Sequence, residues 1–75
     1  MTLKDADLVA QRMSPVEEKH TGVVYTRILE IGYHYGKDGK KTPFICLQDK
    51  SGHSVTYADP TMCNEVERQD ENIEN

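Results

Sequence analysis

Lys37-Asp38-Gly39 and Lys50-Ser51-Gly52 are turn signals that divide residues 22–58 into three strand-like runs. They constrain this chain most, because hairpin loop length sets which residues face each other. A two-residue loop at Asp38-Gly39 would set Leu29 opposite Gln48 and Ile31 opposite Cys46. A three-residue loop, closed by Gly39 in the left-handed region as a G1 bulge, sets Leu29 opposite Leu47, Ile31 opposite Ile45 and Tyr33 opposite Pro43. The second matches apolar with apolar at every position and is preferred. The same turn at Lys50-Ser51-Gly52 sets Leu47 opposite Val55 and Ile45 opposite Tyr57. One face of a three-stranded antiparallel meander then carries Leu29-Leu47-Val55 and Ile31-Ile45-Tyr57. The other carries Ile28, Glu30, Gly32, Phe44, Cys46, Gln48, Ser54 and Thr56, a mixture suited to a face that meets water.

Short helices flank this sheet in the expected fold. Residues 2–13 read as a helix capped by Thr2, with Asp5 completing a capping box. Leu3, Ala6, Leu8 or Val9, and Met13 give it a ragged apolar stripe. Ser14-Pro15 resembles a second cap, opening one or two turns that end by His20-Thr21-Gly22. The first strand spans about residues 23–35, with Gly32 expected at a bulge or bend. The second spans about 41–48. Pro43 is awkward there, because a central strand uses both of its edges. The third spans about 53–58. Asp59-Pro60 then opens a short C-terminal helix to about Arg68, with Met62 and Val66 on one side. Residues 69–75 are polar and acidic and read as a disordered tail. The expected fold is therefore a single small α+β domain over residues 1–68. Curling of the sheet into a partly open SH3-like barrel is the alternative, favoured by Gly32 and the two bulges.

Seventy-five residues bury a modest core, and only 36 % of them are apolar. A dimer interface or a partner would supply the missing burial. Two cysteines, Cys46 and Cys63, are too few for a disulfide scaffold, so free thiols in a reducing cytoplasm are expected. No long apolar run follows the first Lys, so no signal peptide is expected. No stretch approaches the ~20 apolar residues of a membrane span. Net charge is −4, and residues 64–75 carry all of it, with five acids against Arg68 alone. The turns are basic instead, through Lys37, Lys40, Lys41 and Lys50.

Catalytic and metal signatures are missing from the pattern. Cys46, Cys63, His20, His34 and His53 are soft ligands, yet none has the CxxC or HxxxH spacing of a structural zinc site. No nucleophile elbow, Walker loop or dinucleotide fingerprint occurs. Glu30 and His34 share a strand face, but a solvated one. No cofactor, no metal and no enzymatic activity are expected.

Two functions remain. The first is a non-catalytic protein-binding module, an inhibitor or modulator of a larger host enzyme. Its contacts would come from Ile28, Glu30, Phe44 and Thr56 on the sheet, an apolar patch with a polar rim. The acidic end, Glu65, Glu67, Asp70 and Glu71, would approach a partner with a basic surface. In size and acidity the chain resembles the small accessory proteins that phages and mobile elements direct at host proteins. The second is a single-stranded nucleic-acid binder. Tyr25, Tyr35 and Phe44 would stack bases, while Lys37, Lys40, Lys41 and Lys50 track phosphates. The acidic balance weighs against it. A homodimer through an exposed edge strand is compatible with the first.

Overall fold

Helix α1 (Leu3–Arg12) starts where the capping box predicts. Thr2 Oγ1 accepts the Asp5 N–H at 3.1 Å, and an Asp5 carboxylate oxygen accepts the Thr2 N–H at 3.2 Å. It ends at Met13, a left-handed cap at φ 56°. The computed structural model describes residues 1–67. Six strands follow α1: β1 (Val16–Glu18), β2 (Val24–Tyr25), β3 (Arg27–Tyr35), β4 (Lys41–Gln48), β5 (Val55–Ala58) and β6 (Cys63–Glu65). They form two three-stranded sheets, ordered β2-β1-β6 and β3-β4-β5, with antiparallel pairing throughout. Thr26 alone separates β2 from β3, so one bent segment serves both sheets.

The chain is thus α+β, but two of the expected helices are absent. Ser14-Pro15 does not open a helix. Val16 lies fully buried in β1, paired with Tyr25 on one side and Glu65 on the other. Two ladders satisfy the backbone there, which a one-turn helix could not do. Asp59 does cap a turn, its Oδ1 accepting Thr61 N–H at 2.9 Å and Thr61 O–H at 2.8 Å. That turn is a single 3-10 turn, Pro60–Met62. Cys63-Asn64-Glu65 then extends into β6, because Cys and Asn are weak helix formers and pairing with β1 buries Cys63 completely. The tail expected over 69–75 lies outside the described residues.

The first turn has the predicted length. Gly36 N–H donates to Lys40 O at 2.8 Å, Gly39 N–H donates to Gly36 O at 3.0 Å, and Gly39 sits at φ 83°. Ile31 faces Ile45 and Tyr33 faces Pro43. Further along, a bulge intervenes. Ile28 faces Leu47 while Glu30 faces Cys46, so Leu29 is the extra residue. Ile28 takes the inward position and Leu29 is 42 % exposed. Gly32 is not the bulge.

The second turn is one residue longer than predicted. Asp49 N–H donates to Ser54 O at 3.0 Å, which leaves residues 50–53 in the loop. The Asp49 carboxylate ties the turn by accepting Gly52 N–H at 3.0 Å and Ser51 O–H at 2.6 Å. Gly52 is left-handed at φ 77°, and His53 is the residue that brings the chain back. The added residue shifts the register by one. Leu47 faces Thr56, Cys46 faces Tyr57 and Ile45 faces Ala58. Val55 and Tyr57 therefore leave the predicted core face for the opposite one.

Pro43 fits because β4 outruns β5. Bonded and non-bonded pairs alternate along an antiparallel ladder. The Gly36–Lys40 bond directs residues 42, 44 and 46 of β4 towards β3. The Asp49–Ser54 bond directs residues 45 and 47 towards β5. The nitrogen of Pro43 thus points to the β5 side, and β5 ends at Ala58 opposite Ile45. The missing N–H breaks no ladder bond.

The core lies between α1, the inner face of the β3-β4-β5 sheet and the small sheet. Ala6, Val9, Val16, Ile28, Ile45, Leu47 and Cys63 form it, with Leu3, Tyr25, Ile31 and Ala58 packed at its margin. Arg12 locks the end of α1 to β6 with a two-pronged contact, Nε to Glu65 Oε2 at 2.9 Å and Nη2 to Oε1 at 2.7 Å. The Arg12 guanidinium first, and then Ser14, hold the Glu65 carboxyl below its ordinary range. Hydrogen bonds from Thr2 do the same for Asp5, and those from Thr61 for Asp59. A carboxylate whose folded pKa is depressed stabilises the fold at pH above its unfolded value, and that stability is lost as pH falls through the folded value. The melting temperature is therefore expected to be level above about pH 5 and to drop as the pH falls below about 4. Circular-dichroism melts from pH 7 to 2 would check this. An unchanged melting temperature at the acid end would rule out these caps as stabilising.

Candidate functional site

The outer face of the β3-β4-β5 sheet is the one α1 does not cover. Along β4 it bears Thr42, Phe44, Cys46 and Gln48. Cross-strand pairing adds His34, Gly32, Glu30 and Arg27 from β3, and Tyr57 and Val55 from β5. Three rings gather there. His34 stacks on Phe44 with centroids 4.3 Å apart, and Tyr57 meets Phe44 edge-on at 5.4 Å. Gly32 makes room for this. It faces Phe44, and a Cβ there would lie 3.0 Å from the ring carbons Cε2 and Cζ. Gly32 is the seat of the Phe44 ring.

Cys46 lies beneath this cluster and is buried, although it does not belong to the core proper. Burial first, and then the charge of Glu30, push its thiol up, against a hydrogen bond with Tyr57. Burial also raises Cys63. Both are free thiols, and protonated thiols are poor nucleophiles. Arg27 Nε donates to Gln48 Oε1 at 3.1 Å across the sheet. Arg27 and Glu30 give this face one charge of each sign.

The structure separates the residues expected to act together. Phe44 and Glu30 share the outer face. Ile28 is buried in the core, because the Leu29 bulge turns it inwards. Thr56 faces Leu47 on the other side, because the longer loop turns it over. Glu65 is held by Arg12 on β6, away from this face. Glu67 is exposed in a cleft with Arg12, Ser14 and Glu65. Asp70 and Glu71 lie outside the described residues. Tyr57 and Val55 belong to the outer face and were expected on the other one, whereas His34 lies on the face it was expected to share with Glu30, though it was not named as a contact residue. The only signal for Tyr57 and Val55 was the possibility of a four-residue loop, and the alternation of His34 with Glu30 and Gly32 already carried the third.

The basic residues are also divided. Lys37, Lys40 and Lys41 sit at the tip of the β3–β4 hairpin, whereas Lys50 sits at the opposite end of β4, ~26 Å away along an eight-residue strand. At the tip Tyr35 is 73 % exposed, and Lys41 Nζ lies over the Tyr33 ring at 4.4 Å from its centroid. Tyr25 is half-buried against the core on the other sheet, so it forms no platform with Tyr35 or Phe44.

Among the described residues no three His, Cys, Asp or Glu side chains converge as a metal site, and no helix is long and apolar enough to cross a membrane. No family model, no curated protein and no solved structure matches this chain.

Proposed function

We propose that this chain is a non-catalytic protein-binding module whose outer sheet face docks on a larger protein. One observation carries the reading: Tyr57, 58 % exposed, meets the His34–Phe44 stack edge-on, and Val55, 50 % exposed, lies further along β5, on a sheet face left uncovered among the described residues. Aromatic side chains with a polar tip are the usual anchors of an interface. The opposite charges of Arg27 and Glu30 suit a polar rim. Raised, buried thiols support a role without nucleophilic chemistry. They also suit a reducing compartment such as the cytoplasm. Acting as an inhibitor or modulator of a larger host enzyme is consistent with so small a chain. The fold in this reading is a partly open SH3-like barrel. The bent β2–β3 segment, the 3-10 turn before β6 and the return of β6 to β1 support it.

Affinity capture from host lysate with immobilised protein tests the reading. A partner retained by the unaltered chain is expected to bind about tenfold more weakly to Tyr57→Ala, the usual cost of losing an interface aromatic. A partner indifferent to Tyr57→Ala and Phe44→Ala, or no partner at all, would refute it.

The hairpin tip favours a second reading. Tyr33, Tyr35, Lys37, Lys40 and Lys41 combine rings and cations on one projection, the elements of single-stranded nucleic-acid binding. With three lysines on phosphates, affinity for a labelled oligothymidylate is expected to fall about tenfold between 50 and 200 mM salt. An oligonucleotide whose fluorescence polarisation is unchanged at low salt removes this reading.

A further inference from the structure

The outer edge of β5 has a donor–acceptor pattern and two flanking clefts that together specify a ligand. The Asp49–Ser54 bond makes Leu47–Thr56 and Ile45–Ala58 the bonded pairs of the β4–β5 ladder. The backbone N–H and C=O groups of Val55 and Tyr57 therefore point away from β4. Among the described residues no other strand lies against them. On the outer-face side a cleft of about 190 Å³ is walled by His34, Pro43, Phe44 and Tyr57, with Ala58 and Asp59 at its rim on the β5 edge. It opens where β4 runs on past the end of β5. On the inner-face side a cleft of about 290 Å³ includes Glu18, Tyr25, Thr56, Tyr57 and Asp59. Both share Tyr57, Ala58 and Asp59, so they straddle the free edge.

We propose that this edge is a strand-addition site for an extended segment of the partner protein. Deepening the protein-binding reading, on which it rests, the proposal also states the chemistry of the segment. A residue paired with Tyr57 projects to the same side as Tyr57 and enters the aromatic cleft, so it is apolar. Its two neighbours project to the other side, towards the Glu18 carboxylate and the Asp59 carboxylate that sits between the two clefts, so they are basic. The recognised segment alternates basic, apolar, basic. Main-chain bonds to Val55 and Tyr57 supply the pairing, and the clefts select the side chains. Phe44, Tyr57 and Pro43 form the apolar wall.

Selection of short random linear peptides by the full chain, followed by amide hydrogen exchange with the enriched peptide, tests this. The expected result is enrichment of the alternating pattern and slowed exchange at the Val55 and Tyr57 amides. Val55→Pro removes an outward N–H while keeping the β4–β5 ladder, and is expected to weaken the peptide at least about tenfold, through one lost bond and the bulk of the ring. The exchange measurement on the unaltered chain keeps the test valid if that variant does not fold. Failure to enrich any peptide overturns the proposal, as does a peptide that leaves the Val55 and Tyr57 amides exchanging freely. Capture of a partner sensitive to Tyr57→Ala would then keep the protein-binding reading without the strand-addition site. Protection of the same two amides in a homodimer of the chain alone would assign the edge to a second copy and overturn the partner segment.

Discussion

Ile45→Ala is expected to lower the melting temperature by roughly 10–25 °C. Ile45 is fully buried at the centre of β4, between Ile31 and Ala58. Truncating a buried Ile removes its transfer free energy and leaves a cavity, together about 3 kcal/mol in a well-packed site. Each kcal/mol lowers the melting temperature of so small a domain by about 4–8 °C. A chain of this size has little stability to spare, so much of the population unfolds near 37 °C. Ile45→Val keeps most of the volume and is expected to cost about 1 kcal/mol. Circular-dichroism melts of both variants measure the effect. A shift below about 5 °C for Ile45→Ala would mean that the core is elsewhere.

Ile28→Ala and Leu29→Ala are expected to separate sharply. Ile28 is 4 % exposed and packs in the core cluster, so its truncation is expected to cost about 2–4 kcal/mol. Leu29, the bulged residue, is exposed, and its truncation is expected to cost less than about 1 kcal/mol. Simple alternation from the β3–β4 turn predicts the reverse order, since it places Leu29 opposite Leu47. Urea denaturation of the pair therefore reads the bulge directly. A larger loss for Leu29→Ala would show that the strands pair without it.

Local chemistry made some elements legible. Thr2 and Asp5 form a capping box from adjacent side chains and backbone, so the start of α1 needs no tertiary information. Gly39 takes the left-handed position that closes a three-residue loop, and the pairing of Ile31 with Ile45 follows. The bounds of β4 follow too. Two kinds of error came from elsewhere. Val16–Glu18 and Cys63–Glu65 are three-residue strands, too short to show a period, and each exists because the other lies beside it. The ion pair of Glu65 was not legible either, because its partner Arg12 is fifty-three positions away in sequence.

The candidate surface depended on two single-residue displacements. The extra residue at Leu29 turned Ile28 inwards, and His53 in the second loop turned Tyr57 and Val55 outwards. Strand alternation has a period of two, so one residue exchanges whole faces. Phe44 and Glu30 were assigned to the outer face correctly because they lie on the turn side of the bulge, where the first loop sets the register.

The places where the chain turns, the start of α1 and the central strand of the β3-β4-β5 sheet can all be read from local sequence. These depend on contacts within a few residues, where side-chain caps and left-handed glycines act. Long-range pairing sets the rest: the chain builds two sheets, β6 replaces a helix, and His34, Phe44 and Tyr57 meet on one face that the other described elements leave open. Those outcomes depend on pairing between distant segments, and the free energy of such pairing comes from burying Val16, Ile28 and Cys63 together, which no local pattern encodes.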